Sequence, residues 1–175
     1  MTGPPPHRPA LATATAPGIN SPAMADDKPL RPLPERPLPE RPLPVADAIT
    51  AGFWDGAREG ELRIQRCRRC ERWQHPPAIA CRSCGGGDLG FAAIPGELTL
   101  YSWAVLQDAP APGFRDRLPL ILGVVEARAQ QGILIAANLV GVKEADLRLG
   151  LRLAPSFEPV DDDTVLVQFT PVEDQ

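Results

Sequence analysis

The chain has 175 residues, a formal charge of −4 at neutral pH, four cysteines and 22 prolines. Thirteen of those prolines fall before residue 46, which leaves about 130 residues to fold, enough for a small metal module and one small barrel. The longest apolar run, Leu118 to Val125, is far too short to cross a bilayer, and no secretory signal core is visible. This composition points to a cytoplasmic protein with reduced thiols.

Residues 1–46 read as a disordered, Pro-rich leader. Arg31-Pro-Leu-Pro-Glu35 recurs from Arg36 to Glu40, and Arg41-Pro-Leu-Pro44 follows. Such repeats favour an extended polyproline II spacer or a docking strand. Met24-Ala-Asp-Asp reads as a plausible alternative start.

A short helix is predicted over 47–60. Asp47 is a good N-cap, Ile49, Phe53, Trp54 and Ala57 make one apolar face, and Gly60 is placed to end it. Phe53 and Trp54 form a large apolar pair for so short a helix. They either pack on the modules that follow or anchor a partner protein.

A ribbon over 61–92 comes next. Leu62 and Ile64 alternate with Arg63 and Gln65, as in a strand. Cys67-Arg-Arg-Cys70 and Cys81-Arg-Ser-Cys84 are separated by ten residues, and the chain has no other cysteine. Two such knuckles give the tetrahedral four-thiolate set that zinc adopts in structural sites. Iron in the same sulfurs, or redox cysteines, are the alternatives. All four ligands come from protein, which argues for a scaffold metal rather than a catalytic one. His75 lies between the knuckles, and with four thiolates already present it reads as a surface or packing residue. Gly85-Gly86-Gly87 follows where a turn around a metal needs positive φ.

From 93 to 172 the sequence reads as strands: Glu97 to Gln107, Leu118 to Arg128, Gly132 to Leu139, Leu151 to Phe157 and Thr164 to Thr170. A single helical turn is expected over Lys143 to Leu147. Five strands with a helical insert after the third is the order of an OB-fold barrel. The expected class is therefore mainly β: a short helix, a rubredoxin-like zinc ribbon and a five-stranded barrel.

Charge is uneven. Arg58 to Cys84 holds seven arginines against three glutamates, whereas Gly85 to Gln175 holds six basic and thirteen acidic residues. The ribbon could offer phosphates a basic patch, or its arginines could simply balance the thiolates.

These residues resemble a known family. Phe53-Trp54-Asp-Gly56, Gly60-Glu-Leu62, Gln65-Arg66-Cys67-x-x-Cys70 and His75-Pro76-Pro77 resemble its helix and ribbon. Gly96-Glu-Leu98, Tyr101-Ser102, Pro112-Gly113-Phe114, Asn138-Leu139-Val140-Gly141 and Phe157-Glu-Pro-Val-Asp-Asp162 resemble its barrel. This is the two-domain zinc-ribbon/OB-fold family associated with acyl-CoA metabolism. The resemblance implies an accessory subunit that binds a thiolase-like enzyme (thiolase, acyltransferase or retro-aldolase) and helps complete its acyl-CoA site. An enoyl-CoA hydratase is a further partner it suggests. The zinc ligands Cys67, Cys70, Cys81 and Cys84 carry over residue by residue. The stretch Thr164-Val-Leu-Val-Gln-Phe169 departs from the family pattern, lacking a basic residue and a proline expected there.

The residues agree with a non-catalytic role. There are two histidines, no spare cysteine and no glycine-rich phosphate loop. Asp108 to Phe114 links the first two barrel strands, where an OB-fold borders its ligand face. Phe53, Trp54, Gly113, Phe114 and Arg115 are therefore the candidate partner or ligand contacts. The rival reading is a nucleic-acid-binding module that stacks bases on Tyr101 and Trp103. The acidic excess on the barrel opposes it, because single-strand binders need a positive groove.

Overall fold

The computed structural model describes residues 41–172; the leader up to residue 40 lies outside the described residues. Asp47 caps the turn that leads into the first helix. Its carboxylate accepts the N–H groups of Ile49 and Thr50 at 3.0 and 2.7 Å. That turn feeds α1 (Ala51–Arg58), four residues later than the predicted start. Gly60, at φ 74°, ends the helix as read. Its N–H reaches Ala57 O and the Glu61 N–H reaches Gly56 O, the paired bonds of a Schellman cap. Gly52 lets the helix approach the ribbon closely: a Cβ there would lie 2.3 Å from the Phe91 ring.

The ribbon sheet runs β2-β1-β3, with β1 (Arg63–Cys67) antiparallel to both β2 (Trp73–Gln74) and β3 (Leu89–Ala93). Leu62 and Ile64 are buried, as their alternation implies, but Gln65 is buried too. Of the three glycines after the second knuckle, Gly85 alone takes positive φ, at 70°.

The barrel strands are β4 (Leu98–Leu106), β5 (Leu120–Ala127), β6 (Leu134–Asn138), β7 (Arg152–Pro159) and β8 (Val165–Pro171). They pair in the order β6-β5-β4-β7-β8. A parallel bridge from Leu139 to Phe169 closes the ring, and the Val140 N–H donates to Phe169 O at 2.8 Å. This is OB-fold connectivity, with a 3₁₀ turn at Glu144–Asp146 standing for the helical insert. The register of β4 slips between Leu100 and Ser102, which makes Tyr101 the extra residue of a bulge. Phe169, Leu100, Ile135 and Val125 are fully buried at the centre, and Leu62 and Ile64 of the ribbon join the same cluster. Ribbon and barrel therefore share one core.

Candidate metal centre and aromatic hollow

The two knuckles converge. Cys67 Sγ lies 3.7 Å from Cys84 Sγ, and Cys70 Sγ lies 3.6 Å from Cys81 Sγ. All four sulfurs fall within 4.8 Å of one another. Sulfurs about 2.3 Å from a tetrahedral zinc stand roughly 3.8 Å apart, so the spacing fits that ion. The thiols also show why a cation belongs among them. The N–H groups of Cys84 and Ser83 pull the Cys81 thiol down to about 6. The Arg72 N–H draws Cys70 the same way, but burial and the other three sulfurs push it up to about 12. Four thiolates this close repel one another until a cation balances them. His75 is not in the cluster. It packs 5.7 Å from the Phe53 ring, and burial together with Arg82 holds its pKa below the ordinary value.

The positions of the knuckles depend on two buried glutamines that the sequence pattern did not single out. Gln65 accepts from the Ala78 N–H at 2.9 Å and donates to Ala78 O at 3.1 Å. Gln74 donates to Gln65 Oε1 at 2.6 Å and accepts from the Arg82 N–H at 3.0 Å. Together they pin the loop that carries Cys81. A third amide, Gln130 of the barrel, accepts from the Trp73 N–H at 3.0 Å and donates to Trp73 O at 2.9 Å.

Most ribbon arginines are engaged locally. Arg63 pairs with Glu59 and Glu61, Arg66 with Glu71, Arg68 with Asp88 and Arg58 with Asp55, while Arg82 donates to His75 O and Pro76 O. Arg66 also covers the Trp73 ring at 5.3 Å. That pattern suits a neutralised ribbon surface more than a phosphate patch.

A second site forms where α1 meets the barrel. Phe53, Trp54 and Phe114, three of the sequence candidates, line one hollow of about 350 Å³ together with residues of β5, β6 and β8. Phe53 meets Trp54 edge to face, 5.0 Å between centroids. Phe114 sits in a 3₁₀ segment, Pro112–Arg117, and is half-buried beneath the Arg41 guanidinium. Gly113 and Arg115 flank it on that segment without lining the hollow; Arg115 is exposed.

Arg41, within the stretch expected to be leader (residues 1–46), is held against the barrel. Its guanidinium donates to both oxygens of Glu158, at 3.2 and 3.4 Å. Arg117 adds a bond to Glu158 at 2.8 Å, and Gln168 donates to the same carboxylate. Burial pushes the Glu158 carboxyl up, but the hydrogen bonds from Arg41 and Arg117 outweigh it and hold the pKa below the ordinary value. Tyr101, Trp103 and Leu122 are exposed large side chains, and Leu122 also lines the hollow. No helix among the described residues is long and apolar enough to cross a membrane.

Residues 54–90 match the ChsH2 rubredoxin-like zinc ribbon domain, and residues 92–158 match the ChsH2 C-terminal OB-fold domain. A probable enoyl-CoA hydratase alpha subunit of Thermomonospora curvata is 30% identical over 124 residues, 70% of this chain. The 3-oxo-4,17-pregnadiene-20-carboxyl-CoA hydratase alpha subunit of Mycobacterium tuberculosis is 28% identical over 108 residues, 62% of this chain. The chain spans only 38% and 33% of the length of these two relatives. Among solved structures, one titled Ltp2-ChsH2(DUF35) aldolase matches at a TM-score of 0.65 and 28% identity, over 73% of this chain and 98% of that one. A DUF35-family protein of unknown function from Sulfolobus solfataricus shares the fold at a TM-score of 0.51 and 13% identity, over 73% of this chain and 87% of that one.

Proposed function

Because the chain belongs to the two-domain zinc-ribbon/OB-fold ChsH2 family, we propose that it is a non-catalytic accessory subunit of a thiolase-like enzyme, either a thiolase, an acyltransferase or a retro-aldolase. It binds that enzyme and helps form its acyl-CoA site. One observation carries the reading: this chain covers nearly the whole of a chain in a solved structure titled as an aldolase with ChsH2(DUF35). The names of the curated relatives support an enoyl-CoA hydratase as a further partner.

In this reading Cys67, Cys70, Cys81 and Cys84 hold one zinc ion, which fixes the ribbon and leaves no coordination position open to substrate. The rim formed by Phe53, Trp54, Gly113, Phe114 and Arg115 contacts the partner or the pantetheine arm of its acyl-CoA. The enzyme supplies the reacting groups. The protein works in the cytoplasm, where its thiols stay reduced.

The test is co-expression with a thiolase-fold enzyme, followed by size-exclusion chromatography with zinc quantified in each fraction. Co-elution with about one zinc per chain is expected, together with higher thiolase-type activity than the enzyme shows alone. Separate elution, with unchanged enzyme activity, would overturn the proposal.

A further inference from the structure

The described end of the arm meets the barrel with a burial pattern that its sequence repeats. Arg41 and Pro44, three residues apart, are half-buried, whereas Pro42, Leu43 and Val45 are exposed. That spacing is one turn of a polyproline II helix, and it ends at Pro44, since Asp47 is exposed. The Arg41 side chain is only 11% exposed, held by Glu158 and lying 5.4 Å from the Phe114 ring centroid. Pro44 borders a second hollow of about 260 Å³, shared with Trp54, Arg58 and Val165. Trp54 therefore stands between two hollows, with Arg41 at one and Pro44 at the other. Grooves that read Pro-rich segments use this chemistry: aromatic walls that accept prolines, here with a carboxylate that fixes the arginine. The unit Arg-Pro-Leu-Pro begins at Arg31, at Arg36 and at Arg41.

We infer that this surface is a binding site for an Arg-Pro-Leu-Pro segment, filled by residues 41–44 and open to the identical units that begin at Arg31 and Arg36. The site reads an arginine and a proline three residues later, and every unit supplies both. Replacing one unit by the preceding one lengthens the closing loop by five residues. Loop entropy grows slowly with length, so the effective concentration of the replacing unit falls only about threefold. A tethered unit acts at an effective concentration on the order of millimolar, which keeps a site of modest intrinsic affinity filled. The inference goes beyond the accessory-subunit reading and does not depend on it.

The test uses the full chain carrying R31A, R36A and R41A, titrated with a fluorescein-labelled peptide of the sequence of residues 31–39 and followed by anisotropy. Saturable binding to this triple variant is expected, at least tenfold tighter than to the unaltered chain, where the tethered units compete. Glu158→Gln added to the triple variant should weaken the peptide at least fivefold. The R41A single variant should exclude the peptide to within about threefold of the unaltered chain, because the Arg36 unit takes over. Should the triple alanine variant fold poorly, R31K, R36K and R41K together remove the two-pronged contact while keeping the charge, and should likewise admit the peptide. No saturable binding to either triple variant, or binding indifferent to Glu158→Gln, would overturn the inference. The assay contains no enzyme, so its failure is separate from any failure of the accessory-subunit reading.

Discussion

The ribbon and the barrel solve the same problem by different means. The barrel buries hydrocarbon around Phe169 and Leu100, and its strands order one another through continuous ladders. The ribbon contributes Leu62 and Ile64 to that core, packs Trp73 against it, and relies as well on four sulfurs and a pair of buried amides. A small segment with little apolar surface cannot offset its own chain entropy by burial, so point-like, directional contacts take over. The ribbon should thus depend on its metal and its amides, and the barrel on its packed core.

Removing the metal breaks the comparison most sharply. Binding of zinc by small ribbons is worth on the order of 10 kcal/mol. Chelation or Cys81→Ser should abolish hydrogen-exchange protection across 61–93 while the ladders of β4 to β8 keep theirs. Equal loss in both regions would mean that the shared core, not the metal, is the common support. Phe169→Ala attacks the other side. Its ring is fully buried, so the loss should be about 3–5 kcal/mol, seen as a lower Tm with the zinc still bound. Gln65→Ala leaves the Ala78 N–H and the Gln74 amide without their acceptor. We expect about 1–3 kcal/mol, read as faster zinc loss to a colorimetric chelator, with less effect on barrel exchange. Gln130→Ala removes two neutral hydrogen bonds between the modules, about 1 kcal/mol each at most. It should speed exchange at Trp73 alone.

Acid gives the smallest effect. Glu158 has a lowered pKa in the fold. Its stabilising contribution is therefore complete above the ordinary value near 4.5 and is lost as pH falls through the lower folded value. The arm should loosen there, and Glu158→Gln should remove that part of the pH dependence.

Much of this architecture was legible in the chain. The cysteine spacing named the metal module because metal geometry tolerates few spacings. The barrel strands emerged within a few residues of their observed bounds, since each is a β-rich run between turn residues. Gly60 marked the end of the helix through local chemistry, and Asp47 the turn that precedes its start. What escaped were features set by distant partners. β2 is two residues long, and β3 contains a glycine and two alanines, so neither carries a strand signal of its own. Gln65 looked like the polar half of an alternating strand, and only the loop folding over it reveals its bonds. Arg41 was one arginine of a repeat, and its partner Glu158 lies 117 residues away. Phe114 lies beneath that same arginine, so its burial too depends on a residue far away in sequence.

The Gln130 amide has a consequence for solubility. β2 lies at the rim of its sheet, and the Trp73 N–H and carbonyl would otherwise be the groups most available to a foreign strand. One glutamine from the neighbouring module satisfies both. The rim of the smaller sheet is thereby sealed without a further strand, and ribbons of separate molecules lose their template for edge-to-edge aggregation there.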